Sequence, residues 1–326
     1  MRLTSAQLDR ARGVLLGTAA GDALGAPYEF GPPLDRDAPV TMKGGGSLGW
    51  APGEWTDDTA MALAVAETAA AGTDLRAAQA QDAIVARWAN WARTAKDVGV
   101  QTRTVLAAVR GGTAAEALAA SRELHDRTGR TAGNGSLMRT APVVLPFLGD
   151  PGALTEAAAA VSALTHYDPE AGEACVLWCH AIRHAVLTGE LDARAGLEFL
   201  PAVGRDRWSG RLTAAEGARP ADYAANGWVV EALQAAWCAI ATTPVPVPGT
   251  TRAGHLKLAL ENAVRGGRDA DTVAAIAGGL LGAAYGASAV PADWQAVLHG
   301  WPGLRAADLT ALAGTITAAR PQAESR

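Results

Sequence analysis

The segment GEWTDDTAMAL, residues 53–63, places a threonine and two adjacent aspartates at the start of an apolar run. Two interpretations apply to Thr56, Asp57 and Asp58. They could cap a helix, because oxygens in a first turn accept hydrogen bonds from free N–H groups and acids oppose the positive end of the helix dipole. They could also bind a divalent cation, because carboxylate and hydroxyl oxygens are hard ligands. Taken alone, the segment favours capping, since such helix starts are common.

A second acidic segment, residues 266–283, repeats the pattern of glycines, then Asp269, Asp271 and Thr272, then an apolar helical run. With Glu29 added, the two segments offer five carboxylates. Five carboxylates in one pocket would repel each other and raise one another's pKa unless cations were present. Two divalent ions would nearly cancel this charge. All-oxygen ligands favour Mg²⁺, Mn²⁺ or Ca²⁺ and disfavour zinc.

A competing metal site could be formed by Cys175, Cys179, His180 and His184. Their i, i+4 spacing places each like pair along one side of a helix. The two pairs point about 100° apart, however, so one tetrahedral ion would fit poorly. We therefore interpret these side chains as buried cysteines and ordinary histidines.

The motif TAGNGSLMRTAPVV could bind phosphate. Gly133, Asn134 and Gly135 can form a turn with outward-pointing N–H groups, and Ser136 opens the next predicted helix; this geometry suits a phosphate or diphosphate. A plain Asn-Gly turn with a serine cap is the alternative. His166 follows at the end of a helical stretch, and a lone histidine is usually structural.

Composition and periodicity predict an all-α protein. Hydrophobic residues make up 49% of the chain, and alanine, the best helix former, dominates them. Helical periodicity predicts helices at 5–24, 57–72, 76–96, 101–110, 113–123, 136–147, 153–165, 169–189, 222–241, 253–265, 272–287 and 306–319. The predicted long loops are 30–54, 124–135, 204–221 and 242–250. Similar Ala-rich helices flank the last two loops, so neither is expected to link domains.

Two predicted helices carry glycine at every fourth position. These glycines are Gly13, Gly17, Gly21 and Gly25 in the first helix, and Gly278, Gly282 and Gly286 in the second. A glycine inside a helix costs about 1 kcal/mol relative to alanine, so the pattern needs a compensating reason. Residues four apart share one face, so each helix would present a bare stripe to another backbone. We predict that the two helices pack on each other and bring acidic groups from opposite ends of the sequence to one site.

Charge and hydropathy exclude several partners. The net charge of −5 and pI near 5.7 give no reason to expect binding to nucleic acid or to an anionic membrane. The uncharged segment 272–292 is long enough to span a bilayer, but it is mostly Ala and Gly, so we interpret it as a buried helix. Three cysteines and an N-terminus without a secretory signal predict a reducing cytoplasm.

Seven ordered motifs resemble the ADP-ribosylglycohydrolase family over about residues 10 to 287. They are GTAAGDALGAPYEF, GEWTDDTAMAL, DVGVQTR, GNGSLMRTAPV, THYDPEA, NGWVVEALQAAW and DADTVAAIAGGLLGA. The resemblance implies one compact all-α domain over residues 1–326, an orthogonal helical bundle with a binuclear Mg²⁺ or Mn²⁺ centre. It also implies cleavage of the bond between ADP-ribose and a modified acceptor.

The resemblance also implies roles for individual residues. The metals would be surrounded by Thr56, Asp57, Asp58, Asp269, Asp271 and Thr272, with Glu29 beside them as a ligand or gate. The diphosphate and ribose pocket would be lined by Asn134, Gly135, Ser136 and Met138, and His166 would contact ADP-ribose. Asp97 resembles an active-site acid of arginine-specific members; Val100 stands where an Asn often follows, which leaves the acceptor open.

The implied chemistry passes through an oxocarbenium-like state, so the site must hold the ribose and deliver water. Two ions could bind the ribose 2′ and 3′ hydroxyls and a water, whose proton would go to Asp58 or Glu29. Trp228 and Tyr223 are candidate surfaces for stacking adenine. We predict a metal-dependent hydrolase that acts on an ADP-ribosylated protein or another ADP-ribosylated acceptor and releases ADP-ribose. Arginine linkage is favoured, and serine and nucleobase linkages stay open. The alternatives are a non-catalytic ADP-ribose-binding or structural relative and a two-metal phosphoester or nucleotide hydrolase.

Overall fold

The computed structural model describes residues 2–245 and 252–319, which form helices joined by loops. The α-helices are α1 (Ser5–Gly25), α2 (Asp57–Ala70), α3 (Ala78–Trp91), α4 (Val100–Ala108), α5 (Ala114–Thr128), α6 (Pro151–Ala163), α7 (Pro169–Thr188), α8 (Ala202–Glu216), α9 (Val229–Thr242), α10 (Arg252–Arg265), α11 (Ala270–Tyr285), α12 (Ala292–Val297) and α13 (Ala306–Ala318). Short 3₁₀ helices lie at Ala26–Tyr28, Asn134–Ser136, Ala141–Phe147, Ala193–Phe199, Pro220–Asp222 and Ala287–Ala289. Two short antiparallel strands, β1 (His299–Gly300) and β2 (Leu304–Arg305), form the sheet of the described residues. The predicted all-α fold class is confirmed.

Helices α1 and α11 form the central contact of the fold. A Cβ atom on Gly17 would collide with the carbonyl oxygen of Gly278, and a Cβ atom on Gly282 would collide with that of Gly13. The two backbones therefore touch where no side chain fits, and the predicted packing of the striped helices is confirmed. Because helix α1 is buried from Gly13 to Gly25, polar groups near its C-terminus lie inside the molecule.

The predicted loop at 204–221 is wrong, because most of it forms helix α8. Gly204, Trp208, Leu212 and Ala215 are buried along one side of this helix. Their spacing is helical, but the charged residues between them obscured the pattern in the sequence. The predicted loop at 124–135 also begins too early, since α5 continues to Thr128.

The helix predicted at 136–147 is replaced by 3₁₀ turns at Asn134–Ser136 and Ala141–Phe147. Pro142 and Pro146 explain the difference, because proline cannot donate an i→i−4 hydrogen bond and its ring clashes with the preceding turn. The helix predicted at 222–241 begins later, at Val229. Residues 246–250 of the predicted loop 242–250 lie outside the described residues.

Alanine, leucine and valine make up most of the core, and several tryptophans are buried in it. Trp55, Trp88, Trp178 and Trp208 are among the largest fully buried side chains. In the described part of the chain, no helix combines the length and the apolarity needed to cross a bilayer.

Candidate metal and substrate site

Helix α2 begins at Asp57, but its cap comes from another helix. Thr56 occupies the N-cap position without a side-chain capping bond. Asp22 of helix α1 takes that role: its Oδ1 accepts from the Thr56 N–H at 2.9 Å, and its Oδ2 accepts from the Thr59 N–H at 2.9 Å and the Thr59 hydroxyl at 2.6 Å. The Asp22 carboxylate therefore fixes the position of the TDD turn relative to α1.

The acidic residues of both predicted segments come together. Carboxylate oxygens of Asp22, Asp58 and Asp271 lie within 4.8 Å of one another, and so do those of Glu29, Asp269 and Asp271. Asp271 belongs to both groups. We call the five residues of the two groups together the acidic cluster. This convergence follows from the α1–α11 packing, since a Cβ atom on Gly25 would collide with the backbone of Asp271.

The threonines of both segments face the same carboxylate. Asp58 Oδ2 accepts from the Thr56 hydroxyl at 3.2 Å and from the Thr272 hydroxyl at 3.4 Å. The Thr56 hydroxyl also lies 3.4 Å from Asp271 Oδ2. Residues more than two hundred positions apart in sequence thus share one polar network.

Burial raises the pKa of every residue in the acidic cluster and of the adjacent Asp57, and for all of them except Asp22 the charges of neighbouring carboxylates raise it further. Burial followed by the charges of Asp269, Asp97 and Asp57 raises the pKa of Glu29 to about 9. Burial is also the largest cause that raises the pKa of Asp57 to about 7 and that of Asp22 to about 6. For Asp58, Asp269 and Asp271 the pKa is raised for the same first reason. Among the described residues, no lysine, arginine or histidine side chain forms an ion pair with these carboxylates.

Several oxygen atoms of the cluster have no hydrogen-bond partner although they are buried. They are Glu29 Oε2, Asp58 Oδ1 and Asp271 Oδ1. Buried polar atoms normally have partners, so these free lone pairs are suited to ligate cations. The donor set is all oxygen, in agreement with the type of metal predicted from the sequence.

Two residues beside the acidic cluster adopt left-handed backbone conformations. Phe30, which follows Glu29, has φ 61°, and Arg268, which precedes Asp269, has φ 60°. The Phe30 N–H donates to the Arg268 carbonyl at 2.6 Å, and the Arg268 N–H donates to Gly31 at 2.7 Å. Such conformations cost roughly 1–2 kcal/mol in residues other than glycine. The paired backbones therefore hold Glu29 and Asp269 close together at an energetic cost.

The Asn-Gly turn lies against the acidic cluster. Asn134 Nδ2 donates to Asp269 Oδ2 at 2.7 Å and to the Asn226 carbonyl at 2.9 Å. Asn226 Oδ1 in turn accepts from the Asp269 N–H at 3.2 Å. A ligand on the turn would therefore lie next to the carboxylates, and Asn226 is a contributor that the sequence interpretation did not single out.

His166 faces the same turn. Cβ atoms built on Gly133 and Gly135 would lie 3.3 and 3.1 Å from His166 Nε2, so glycine leaves room for the imidazole. Ser136 and Met138 are less accessible. The Ser136 hydroxyl accepts from Ser162 at 2.9 Å, and Met138 is part of the hydrophobic core.

The remaining predicted site residues lie in different surroundings. Asp97 lies in the loop between α3 and α4, half-buried, and its charge raises the pKa of Glu29 and Asp57. Trp228 pairs through its backbone with Gly133 and is 38% exposed, so its ring is available beside the turn. Tyr223 is buried, and burial raises its pKa to about 12; its charged neighbours are outside the acidic cluster.

The competing metal site at the cysteines and histidines of helix α7 is not assembled. Cys175 and Cys179 are free, buried thiols. His180 stacks on Phe199 with ring centroids 3.5 Å apart, and His184 lies 3.5 Å from Glu190. These side chains have structural partners, as the sequence interpretation expected.

Asp22 is the main site residue that the sequence interpretation did not assign. It lies in GDALG, where it appears as the polar end of a glycine-striped helix. An aspartate directly after Gly21 of the stripe was the available signal, because a carboxylate inside a packed helix must find donors from another element.

Comparison with known proteins identifies the family of the chain. The ADP-ribosylglycohydrolase family matches residues 3–325, and the chain belongs to that family. It is 33% identical over 296 residues to an ADP-ribosylarginine hydrolase, Tri1, of Pseudomonas putida, covering 88% of this chain and 73% of the relative. It is 30% identical to the ADP-ribosyl-[dinitrogen reductase] glycohydrolase of Rhodospirillum rubrum, covering 89% and 90%. A solved structure titled "ADP-ribosylglycohydrolase-related protein complex" matches with a TM-score of 0.70 at 30% identity, covering 97% and 99%.

Proposed function

We propose that this protein hydrolyses the glycosidic bond between ADP-ribose and a modified arginine side chain of a protein and releases ADP-ribose. The observation that carries the proposal is the acidic cluster. It consists of two sets of three acidic residues that share Asp271, and it contains buried carboxylate oxygens without hydrogen-bond partners. The relatives whose names specify ADP-ribosylarginine and ADP-ribosylated dinitrogen reductase support the reaction class and the protein substrate. Free, buried cysteines agree with action in a reducing cytoplasm.

The acidic cluster fits a pair of Mg²⁺ or Mn²⁺ ions. Asp22, Asp58 and Asp271 would hold one ion, and Glu29, Asp269 and Asp271 the other. Asp57, Thr56 and Thr272 would complete the surroundings of the ions. When bound, the ions would neutralise the carboxylates, polarise ribose hydroxyls and lower the pKa of a water.

The protein side chains then have separate tasks. The turn at Gly133–Ser136, with His166 beside it, would bind the diphosphate and the adjacent ribose. Trp228 would stack on the adenine through its exposed ring. A carboxylate must take a proton from the attacking water. Asp58 and Glu29 both retain a buried oxygen without a partner, so both meet this requirement.

Asp97 is proposed to face the acceptor. It lies close enough to Glu29 and Asp57 to raise their pKa, and a carboxylate there would attract a guanidinium group. Val100, on the same segment, is 85% exposed, and its aliphatic side chain offers no polar contact to an acceptor. The Asp97→Asn variant should lose more activity toward an arginine-linked than toward a serine-linked substrate.

A substrate panel tests the proposal. The purified protein is incubated with Mg²⁺ or Mn²⁺ and with ADP-ribosyl-arginine, ADP-ribosyl-serine and ADP-ribosylated nucleobases. Release of ADP-ribose fastest from the arginine linkage is expected. Tight ADP-ribose binding without turnover would identify a binding protein instead, and release of AMP or phosphate would identify a phosphoester hydrolase.

A further inference from the structure

A buried arginine lies behind the Asn-Gly turn. Arg139 is 1% exposed, and in residues 2–245 and 252–319 no carboxylate lies within ion-pair distance of its guanidinium. Its central carbon lies 4.0 Å from the centre of the Trp88 ring. Its Nε and Nη1 atoms have no hydrogen-bond partner. Burying a charge without an ion-pair partner is costly, and the Trp88 ring together with hydrogen bonds from Nη2 to the Val161 carbonyl and to Thr165 offsets only part of this cost.

The contacts of Arg139 lead to His166 through one hydroxyl group. Arg139 Nη2 donates to Thr165 Oγ1 at 2.8 Å, and the same Oγ1 lies 2.7 Å from His166 Nδ1. A guanidinium has donors only, so the threonine oxygen must accept from Arg139. Arg139 and His166 are the described partners of this hydroxyl, and its own hydrogen is therefore directed to His166 Nδ1.

This arrangement determines which nitrogen of His166 carries the proton. If Nδ1 accepts from Thr165, the hydrogen of the neutral ring lies on Nε2. Burial and then the nearby charge of Arg139 lower the pKa of His166 well below 6.5, so the ring is neutral at neutral pH. Nε2 lies near the positions that Cβ atoms on Gly133 and Gly135 would take, so its N–H group points to the turn.

We propose that Arg139 and Thr165 are positioning residues that hold His166 as the neutral Nε2–H tautomer, so that it donates a hydrogen bond to an oxygen of the ADP-ribosyl group on the turn. This inference rests on the proposed function for the identity of the ligand. A protonated His166 would also attract the diphosphate, but it would have no acceptor for the Thr165 hydroxyl. A neutral donor recognises the oxygen without a second buried positive charge.

The tautomer is measured directly in the free protein. Long-range ¹H–¹⁵N NMR of the full chain labelled at histidine distinguishes Nδ1–H, Nε2–H and imidazolium forms. We expect the Nε2–H form of His166 at neutral pH. An Nδ1–H form or an imidazolium would overturn the positioning role, whatever the enzymatic activity.

Binding of ADP-ribose tests the consequence. Thr165→Val should weaken ADP-ribose binding about tenfold, the loss expected for one hydrogen bond, and Thr165→Ser should restore it. Thr155→Val is a matched control, because the Thr155 hydroxyl bonds His180 at 2.8 Å in a different part of the core, so affinity should not change. Thr165→Val should have no further effect in a His166→Ala background, since the hydroxyl acts through that ring.

The possible results separate the two proposals. If Thr165→Val binds ADP-ribose as tightly as the unaltered protein, the positioning role is overturned and the proposed function stands. If the unaltered protein binds no ADP-ribose, the proposed function and the substrate role of His166 are both overturned. Arg139→Met should weaken binding in the same direction as Thr165→Val, because the hydroxyl loses the donor that orients it.

Discussion

The contact between helices α1 and α11 has a middle and an end with opposite character. In the middle, glycines let the two backbones touch, and burial there is complete without any charged group. At the end, Asp22 and Asp271 meet among further carboxylates that repel one another. The same packing thus stabilises the fold in one place and concentrates charge in another.

This difference shows that stability and function have different sources along one helix pair. The glycine contact depends on shape alone, so any added atom should reduce the free energy of unfolding. The acidic cluster is unfavourable until cations bind, so removing one of its charges should harm activity more than stability. Substitutions in the glycine contact should therefore lower stability, whereas substitutions in the acidic cluster should mainly lower activity.

The largest effect is expected for Asp271→Asn. It removes the carboxylate common to both ligand groups, so kcat/KM should fall by a factor of roughly 1,000 or more, equivalent to about 4 kcal/mol. The Tm of the metal-free variant should equal or exceed that of the unaltered protein, because repulsion is relieved. Asp206→Asn, on the exposed side of α8, is the control. An unfolded Asp271→Asn protein would contradict the comparison.

The middle of the contact should respond in the opposite way. Gly278→Ala directs a methyl group into the carbonyl of Gly17, so the free energy of unfolding should fall by about 3 kcal/mol, the upper part of the overpacking range. Gly210→Ala in helix α8 is the matched control, since nothing lies within 4 Å of its Cβ position; it should be neutral or stabilising. Urea denaturation measures both, and equal stability of the two variants would refute the close backbone contact.

In the presence of a chelator, the free energy of unfolding of the cation-free protein should fall as pH rises. In the folded protein the pKa of Asp22 is raised to about 6, that of Asp57 to about 7 and that of Glu29 to about 9. In the unfolded chain these carboxyl groups titrate at about pH 4. From about pH 4 up to these raised values, the folded protein therefore binds more protons than the unfolded chain. The contribution of these three groups to the free energy of unfolding is fully present below pH 4 and is lost as pH rises through 6 to 9.

Thermal unfolding in EDTA at several pH values measures this slope, with and without excess Mn²⁺. Bound cations favour the ionised carboxylates, so Mn²⁺ should raise the Tm most at high pH. The Asp271→Asn variant should show a shallower slope in EDTA. A Tm that rises with pH in EDTA would contradict a cluster of buried carboxylates that repel one another when no cation is bound.

The smallest effect is expected for Asp22→Asn, which tests both regions together. The amide can replace one accepting oxygen, but its NH₂ group cannot accept from Thr59, so the free energy of unfolding should fall by about 1 kcal/mol. Metal affinity should also fall, because one ion would lose a charged ligand and because the cap orients the turn that carries Asp57 and Asp58. Calorimetric titration with Mn²⁺ measures it. Unchanged affinity in Asp22→Asn would restrict Asp22 to a structural role.

The sequence predicted the helical fold because helix formation leaves a local, periodic pattern. The glycine stripes of α1 and α11 predicted their contact for a similar reason, since residues four apart share a face. The same approach failed for α8, where charged residues between Gly204 and Leu212 obscured a buried side, and for 136–147, where prolines prevent an α-helix.

The sequence by itself determined which side chains are available, namely the oxygen ligands of the two acidic segments and the glycine turn before Ser136. Only the tertiary structure decided that Asp22 caps α2, that Asn226 bonds both Asn134 and Asp269, and that Thr165 lies between Arg139 and His166. The physical reason is the distance along the chain over which each interaction acts. Periodicity and turn chemistry act over a few residues, whereas a hydrogen bond between α1 and α2 depends on how whole helices pack.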